Sequence, residues 1–132
     1  MRYFCLILML LATALAAEEE AQFQERVGID PILRGVWQMH AFQKEGEEEQ
    51  TFSPPLDFAT VSAKSMTFAD GKKLTMSKVA IMQKGDAPPA NVVLLENGVI
   101  YACYKTPGNP DVLVQVLRDG KVFSSALIRV VQ

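Results

Sequence analysis

Few side chains in this sequence could perform acid–base, nucleophilic or metal chemistry. His40 is the one histidine, and Cys5 and Cys103 are the only cysteines. A single histidine excludes metal sites and catalytic mechanisms that need two, and cysteine-rich zinc sites need more thiols than the chain offers. We therefore interpret His40 as a half-exposed strand residue and Cys103 as a core thiol. The sequence predicts no catalytic residue, no metal ligand and no cofactor.

The acidic residues do not form a recognisable site either. Glu47, Glu48 and Glu49 are adjacent, without the spacing of a calcium-binding loop, and are interpreted as a solvated loop. Asp30 and Asp57 stand at the ends of predicted segments, where capping and turn roles account for them. Asp30 followed by Pro31 predicts one short helical turn before the chain extends at Gly35.

The elements that must position these residues are marked by turn dipeptides at near-even spacing. Asn-Gly and Asp-Gly favour tight hairpins, because both central residues of a type I′ turn need a positive φ. An antiparallel meander is therefore predicted, with hairpins at Asn97-Gly98 and Asp119-Gly120. The dipeptides are Asp70-Gly71, Gly85-Asp86, Asn97-Gly98, Gly108-Asn109 and Asp119-Gly120.

Seven strand-like runs lie between the turns, at residues 36–44, 58–69, 73–83, 91–96, 99–105, 112–118 and 121–131. Residues 47–56 contain Pro54-Pro55 and are predicted to form a long exposed connection, because proline donates no hydrogen bond to a central strand. Several runs are apolar on both faces, so closure of the sheet is favoured over an open edge. The predicted fold is all-β, an antiparallel up-and-down meander of about seven or eight strands closing into a small barrel.

The first residues have the pattern of an export signal. Arg2 precedes an apolar run and the small residues Ala16 and Ala17, and the run is too short for the about 20 residues that a membrane anchor needs. Residues 1–17 are predicted to be a signal peptide, residues 18–28 an acidic tail and residues 29–132 the domain. Within the tail, residues 18–26 are expected to be frayed or to form a short helix. The expected location is secreted or periplasmic.

The charge and the cysteine content exclude some classes of binding partner and an internal disulfide. The chain carries 13 basic and 15 acidic residues, and loss of Arg2 with the signal peptide lowers the net charge from −2 to −3. Such a surface does not favour nucleic acid or an anionic membrane. Only Cys103 remains after cleavage, so an internal disulfide cannot form.

The segment Leu33-Arg34-Gly35-Val36-Trp37 resembles the Leu-x-Gly-x-Trp entry to the first strand of lipocalin-like, calycin-type barrels. The order of elements over residues 29–132 is similar as well. The resemblance implies that Trp37 plugs the closed end of the barrel and that Arg129 packs across its ring in a cation–π contact. The chain has no Thr-Asp-Tyr-type second signature and is shorter than a full lipocalin, which leaves open whether the barrel encloses a cavity.

Two non-catalytic functions follow, with an enzyme as the less favoured third class. One is an exported module that binds an apolar or amphipathic small molecule, with the 45–56 segment near the mouth of its pocket. The other is a protein-interaction module, such as an inhibitor of an extracellular or periplasmic enzyme, that uses the same segment. The predicted pocket lining is Phe58, Met66, Phe68, Met76 and Met82.

Overall fold

The computed structural model describes residues 21–132, which form nine β-strands and one single-turn 3₁₀ helix. The predicted signal peptide and residues 18–20 of the acidic tail lie outside the described residues. No helix within 21–132 is long and apolar enough to cross a membrane. The elements are β1 (Gln22–Arg26), the 3₁₀ helix (Pro31–Leu33), β2 (Gly35–Lys44), β3 (Gln50–Val61), β4 (Ser65–Phe68), β5 (Lys73–Gln83), β6 (Ala90–Leu95), β7 (Ile100–Lys105), β8 (Asp111–Arg118) and β9 (Lys121–Val131).

Eight of the strands close into a barrel. Strands β2 to β9 pair antiparallel in chain order, and β9 pairs back onto β2, with Val36 opposite Val131 and Lys44 opposite Ser124. Closure pairs the edges that an open sheet would leave free. The predicted all-β up-and-down barrel is confirmed.

Strand β1 is the ninth strand and differs from the sequence expectation for residues 18–26. It is neither frayed nor helical within Gln22–Arg26, because these residues pair antiparallel with residues 79–83 of β5. The short β4 pairs only with residues 73–75 of β5, and β6 takes the other edge of β5. Strand β1 therefore pairs with the part of the β5 edge that β4 does not reach. No local pattern in the sequence of β1 indicates this pairing.

Both predicted hairpins are confirmed. Asp119 and Gly120 have φ of 53° and 75°, and the flanking Arg118 and Lys121 pair directly, as a two-residue turn with two positive φ values requires. In the β6–β7 hairpin only Gly98 has a positive φ, 88°, and its amide donates to the Leu95 carbonyl at 2.9 Å.

The prediction of a long connection at residues 47–56 is wrong for most of that segment, because β3 begins at Gln50 and includes Pro54 and Pro55. The β2–β3 ladder has an irregularity there: Met39 pairs with Leu56 and Ala41 with Thr51, so residues 52–55 pair with nothing on β2. Strand β4 contacts β3 only at 59–61. The prolines lie where neither neighbour needs their missing N–H. The predicted run 58–69 is divided between β3 and β4 by a turn.

The interior and part of the exterior of the barrel are apolar. Inward side chains such as Trp37, Met66 and Ile128 are fully buried in one continuous core. A second buried cluster, which includes Ala80, Val92 and Ala102, points to the outer side of β5, β6 and β7. Ala21 and Phe23 pack against this outer cluster. The inner and outer clusters together explain why several strands are apolar on both faces.

Candidate functional site

The candidate site is a cavity of about 180 Å³ inside the barrel, at the end opposite Trp37. Its walls are inward side chains of β2, β3, β7, β8 and β9, and Phe42, Arg118 and Phe123 lie at its mouth. Burial raises the pKa of Tyr101 to about 12. The wall residues are Met39, Phe58, Tyr101, Val114, Val116, Ser124, Ala126 and Ile128.

The five predicted lining residues are distributed over three environments. Phe58 lines the cavity. Phe68 packs beside it, with ring centroids 5.7 Å from Phe58 and 6.4 Å from Tyr101. Met66 and Met76 belong to the buried core and do not line the cavity. Met82 belongs to the outer cluster and borders a separate groove of about 300 Å³ outside the barrel.

Two cations surround one aromatic ring at the cavity mouth. The Arg118 guanidinium carbon lies 4.3 Å from the centroid of the Phe123 ring, and Lys44 Nζ lies 5.3 Å from it. Cation–π contacts of this kind hold long basic side chains near an apolar surface. Glu47 lies 3.8 Å from Lys44 at the surface. The mouth therefore places positive charge next to an apolar cavity.

The opposite end is closed by the residues of the Leu-x-Gly-x-Trp segment. The predicted turn is present: Asp30 Oδ1 accepts a hydrogen bond from the Ile32 amide at 3.0 Å and caps the 3₁₀ helix. Trp37 is fully buried, and its Nε1 donates to the Leu33 carbonyl at 2.7 Å. Trp37 thus joins the helical turn to the core.

The expected contact between Arg129 and Trp37 is not formed. Trp37 pairs with Val130 in the β2–β9 ladder, so the neighbouring Arg129 points to the other face of the sheet. Its guanidinium lies outside the barrel and donates to Asp111 Oδ1 at 3.1 Å. Arg129 therefore gives no support to the lipocalin resemblance.

Asp111 also contacts His40, for which the sequence predicted no partner. His40 Nε2 lies 3.1 Å from Asp111 Oδ1 on the outer surface. Partial burial disfavours the charge of Asp111, but the hydrogen bonds from Arg129 and His40 outweigh it and lower the pKa of Asp111. The two residues are 71 positions apart in the chain, and only strand register brings them together. Within 21–132, no serine, threonine or cysteine hydrogen-bonds to this histidine.

Cys103 lies in the core, where it is 1% exposed. Burial raises the pKa of the Cys103 thiol to about 12. Since the thiolate is the nucleophile, the thiol is expected to be unreactive in the folded protein. No group of three or more histidine, cysteine or acidic side chains is placed to hold a metal ion in the described part of the chain.

We expect native protein beginning at Glu18 to react with Ellman's reagent at pH 8 at least about 10³-fold more slowly than the same protein in urea. The elevated pKa leaves a thiolate fraction on the order of 10⁻⁴ at this pH, and burial blocks access as well. Reaction of the folded and unfolded forms at equal rates would contradict the core placement of Cys103.

Comparison with known proteins adds no further constraint. No protein-family model matches this chain, and neither the curated proteins nor the solved structures include a significant match.

Proposed function

We propose that this chain is an exported, non-catalytic binding module with a lipocalin-like barrel, and that it binds a small apolar or amphipathic molecule in the cavity at the barrel mouth. The observation that carries the proposal is the apolar cavity of about 180 Å³ between Met39, Phe58 and Val114. Its walls are held by strand pairing, so the space does not depend on a flexible loop.

The volume limits the ligand to a small molecule. An apolar cavity of about 150 Å³ is sufficient for benzene, whereas pockets for drug-sized ligands enclose about 300–1,000 Å³. The mouth cavity, at about 180 Å³, is near the lower figure. A single aromatic ring or a short branched chain fits within this volume, which is smaller than a long acyl chain or a polycyclic ligand.

The chemistry of the mouth favours an amphipathic ligand with an acidic end. Its apolar body would occupy the space beside Phe58 and Tyr101, and its anionic group would lie beside Arg118. Because Arg118 is exposed, this charge interaction is screened by solvent and adds modestly to the affinity.

Titration with toluene and with benzoate, followed by calorimetry and NMR, tests the proposal. Both probes are expected to bind saturably, and benzoate is expected to bind more tightly. Ala126→Leu reduces the cavity volume and should lower the affinity for both probes at least tenfold. Arg118→Gln should weaken benzoate alone, by about threefold, as expected for a solvent-exposed charge interaction.

Ser125→Leu is the matched control, because Ser125 is the neighbouring residue of β9 and borders a groove on the outer surface. It should leave the binding of both probes unchanged. Absence of saturable binding, or equal loss in the Ala126 and Ser125 variants, would contradict a binding site inside the barrel.

A protein-interaction function is the second candidate, and the free edge of β3 favours it. Residues 50–57 lie next to β2 on one side, and no described strand pairs with their other side. Leu56 is 47% exposed within this edge. Unpaired edges invite pairing with another chain, although Pro54 and Pro55 restrict it to part of the segment.

A further inference from the structure

The outer cluster is buried although it lies on the outside of the barrel. Val92 is at its centre, paired with Ala80 of β5 on one side and with Ala102 of β7 on the other, and all three are 0% exposed. Side chains on the face of a sheet stand roughly perpendicular to it, so their tips stay open to solvent unless a second layer lies over them. The cluster comprises Ala21, Ala80, Met82, Ala90, Val92, Ile100, Ala102 and Leu117.

Residues 21–132 do not supply such a second layer. The partly buried hydrophobic side chains that pack against the cluster come from β1, β6, β7 and β9, which are strands of the same nine-stranded sheet. They therefore lie beside the cluster rather than over it. The cover of Val92 and Ala102 is accordingly expected from the chain before Ala21. The four flanking residues are Phe23, Leu94, Tyr104 and Val122.

Ala21 marks the place where the preceding chain joins the cluster. It is 9% exposed, belongs to the cluster itself, and is followed by Gln22, which pairs with Gln83 at the end of β5. From β5 to β8 the face is about 14 Å wide, which is three strand spacings. The uncharged residues 3–17, called the apolar segment below, span about 22 Å even at the rise of 1.5 Å per residue of a helix. The apolar segment is therefore long enough to cross the whole face.

Charge complementarity supports the same placement. Residues 18–20 are three glutamates that connect the apolar segment to Ala21. Lys84 and Lys105 line the groove beside Met82, at the end of β5 that Ala21 adjoins. The acidic connection is thus joined to the barrel next to two lysines, whereas the eight residues of the outer cluster carry no charge.

We propose that the apolar segment docks on the outer face of β5 to β8 in the uncleaved chain and forms the second layer over the outer cluster. Cleavage after Ala17 then uncovers this face. A chain that folds before export holds its own signal against the barrel, so export requires the signal to be engaged before the barrel closes. The proposal does not depend on ligand binding in the mouth cavity, because the cavity and the outer cluster share no residue.

Maleimide labelling of Ala102→Cys tests the proposal in the full chain, with Cys5→Ser removing the thiol of the apolar segment. The new thiol is expected to react at least about tenfold more slowly in the full chain than in the protein beginning at Glu18, because labelling then requires the segment to leave the face. Cys103 adds little to the signal, since it is 1% exposed. Thr60→Cys, on the exposed side of β3, is the matched control and should react equally fast in both forms.

A second variant keeps the test decisive if the shorter form does not fold. Leu8→Asp together with Leu11→Asp places charges in the apolar segment, so labelling of Ala102→Cys in the full chain should become at least about tenfold faster. Circular dichroism confirms that the barrel is retained. Equal labelling rates with and without the segment, or no effect of the two aspartates, would overturn the proposal. Protection that increases with protein concentration would also overturn it, because a second copy of the chain would then cover the face.

Discussion

Replacing Trp37 with alanine is expected to lower the free energy of unfolding by about 3–5 kcal/mol, the range for truncation of a large buried aromatic side chain. Trp37 is fully buried, and its indole packs in the same core as Ile29 and Leu33, residues that tie the chain before β2 to the barrel. The variant loses this packing and also the hydrogen bond to the Leu33 carbonyl. Urea unfolding followed by far-ultraviolet circular dichroism measures the change without relying on tryptophan fluorescence.

Trp37→Phe is the matched control, since it keeps an aromatic ring and removes the indole N–H. It leaves the Leu33 carbonyl without its donor, so a smaller loss of about 1–3 kcal/mol is expected. A loss below about 1 kcal/mol for the alanine variant would show that the ring does not hold the closed end of the barrel.

The second large effect is expected for Gly35→Ala. Gly35 has a φ of 139°, and a Cβ at this position would lie 2.5 Å from the carbonyl oxygen of Val131 on β9. The backbone conformation and the close approach of the last strand both require glycine. The strained dihedral and the overpacking each cost about 1–3 kcal/mol, so the total loss of stability is on the order of 3 kcal/mol.

Gly71→Ala separates the two causes. Gly71 has a positive φ of 88°, but a Cβ there would have no atom within 4 Å. Only the left-handed backbone is then penalised, by about 1–2 kcal/mol. Equal losses in the two variants would mean that β2 and β9 can move apart at Gly35, and that the steric contact with Val131 is unimportant.

Local patterns were sufficient for most of the barrel. Turn glycines and alternating apolar residues located the strands from β5 to β9 to within one residue of their observed ends, because turn geometry and side-chain alternation depend only on neighbouring residues. The same holds for the turn capped by Asp30. The core placement of Cys103 also followed from its apolar strand.

The residues of the candidate sites were harder to predict from local sequence patterns. Of the five residues predicted to line a pocket, Phe58 lies in the mouth cavity, whereas Met66 and Met76 fill the core. Apolar character predicts that a side chain is buried, but it does not distinguish a wall of a cavity from a packed interior. That distinction depends on how side chains from different strands fill the space between them.

Contacts between strands that are distant in the sequence could be identified only from the folded structure. Arg129 faces away from Trp37 because the register of β2 on β9 pairs the indole with Val130, and a shift of one residue would reverse every side chain. Pro54 and Pro55 fit in β3 because the ladder to β2 is interrupted opposite them. Composition and local spacing set which segments extend and turn, whereas partners such as His40 and Asp111 depend on pairing register, which is a property of two strands together.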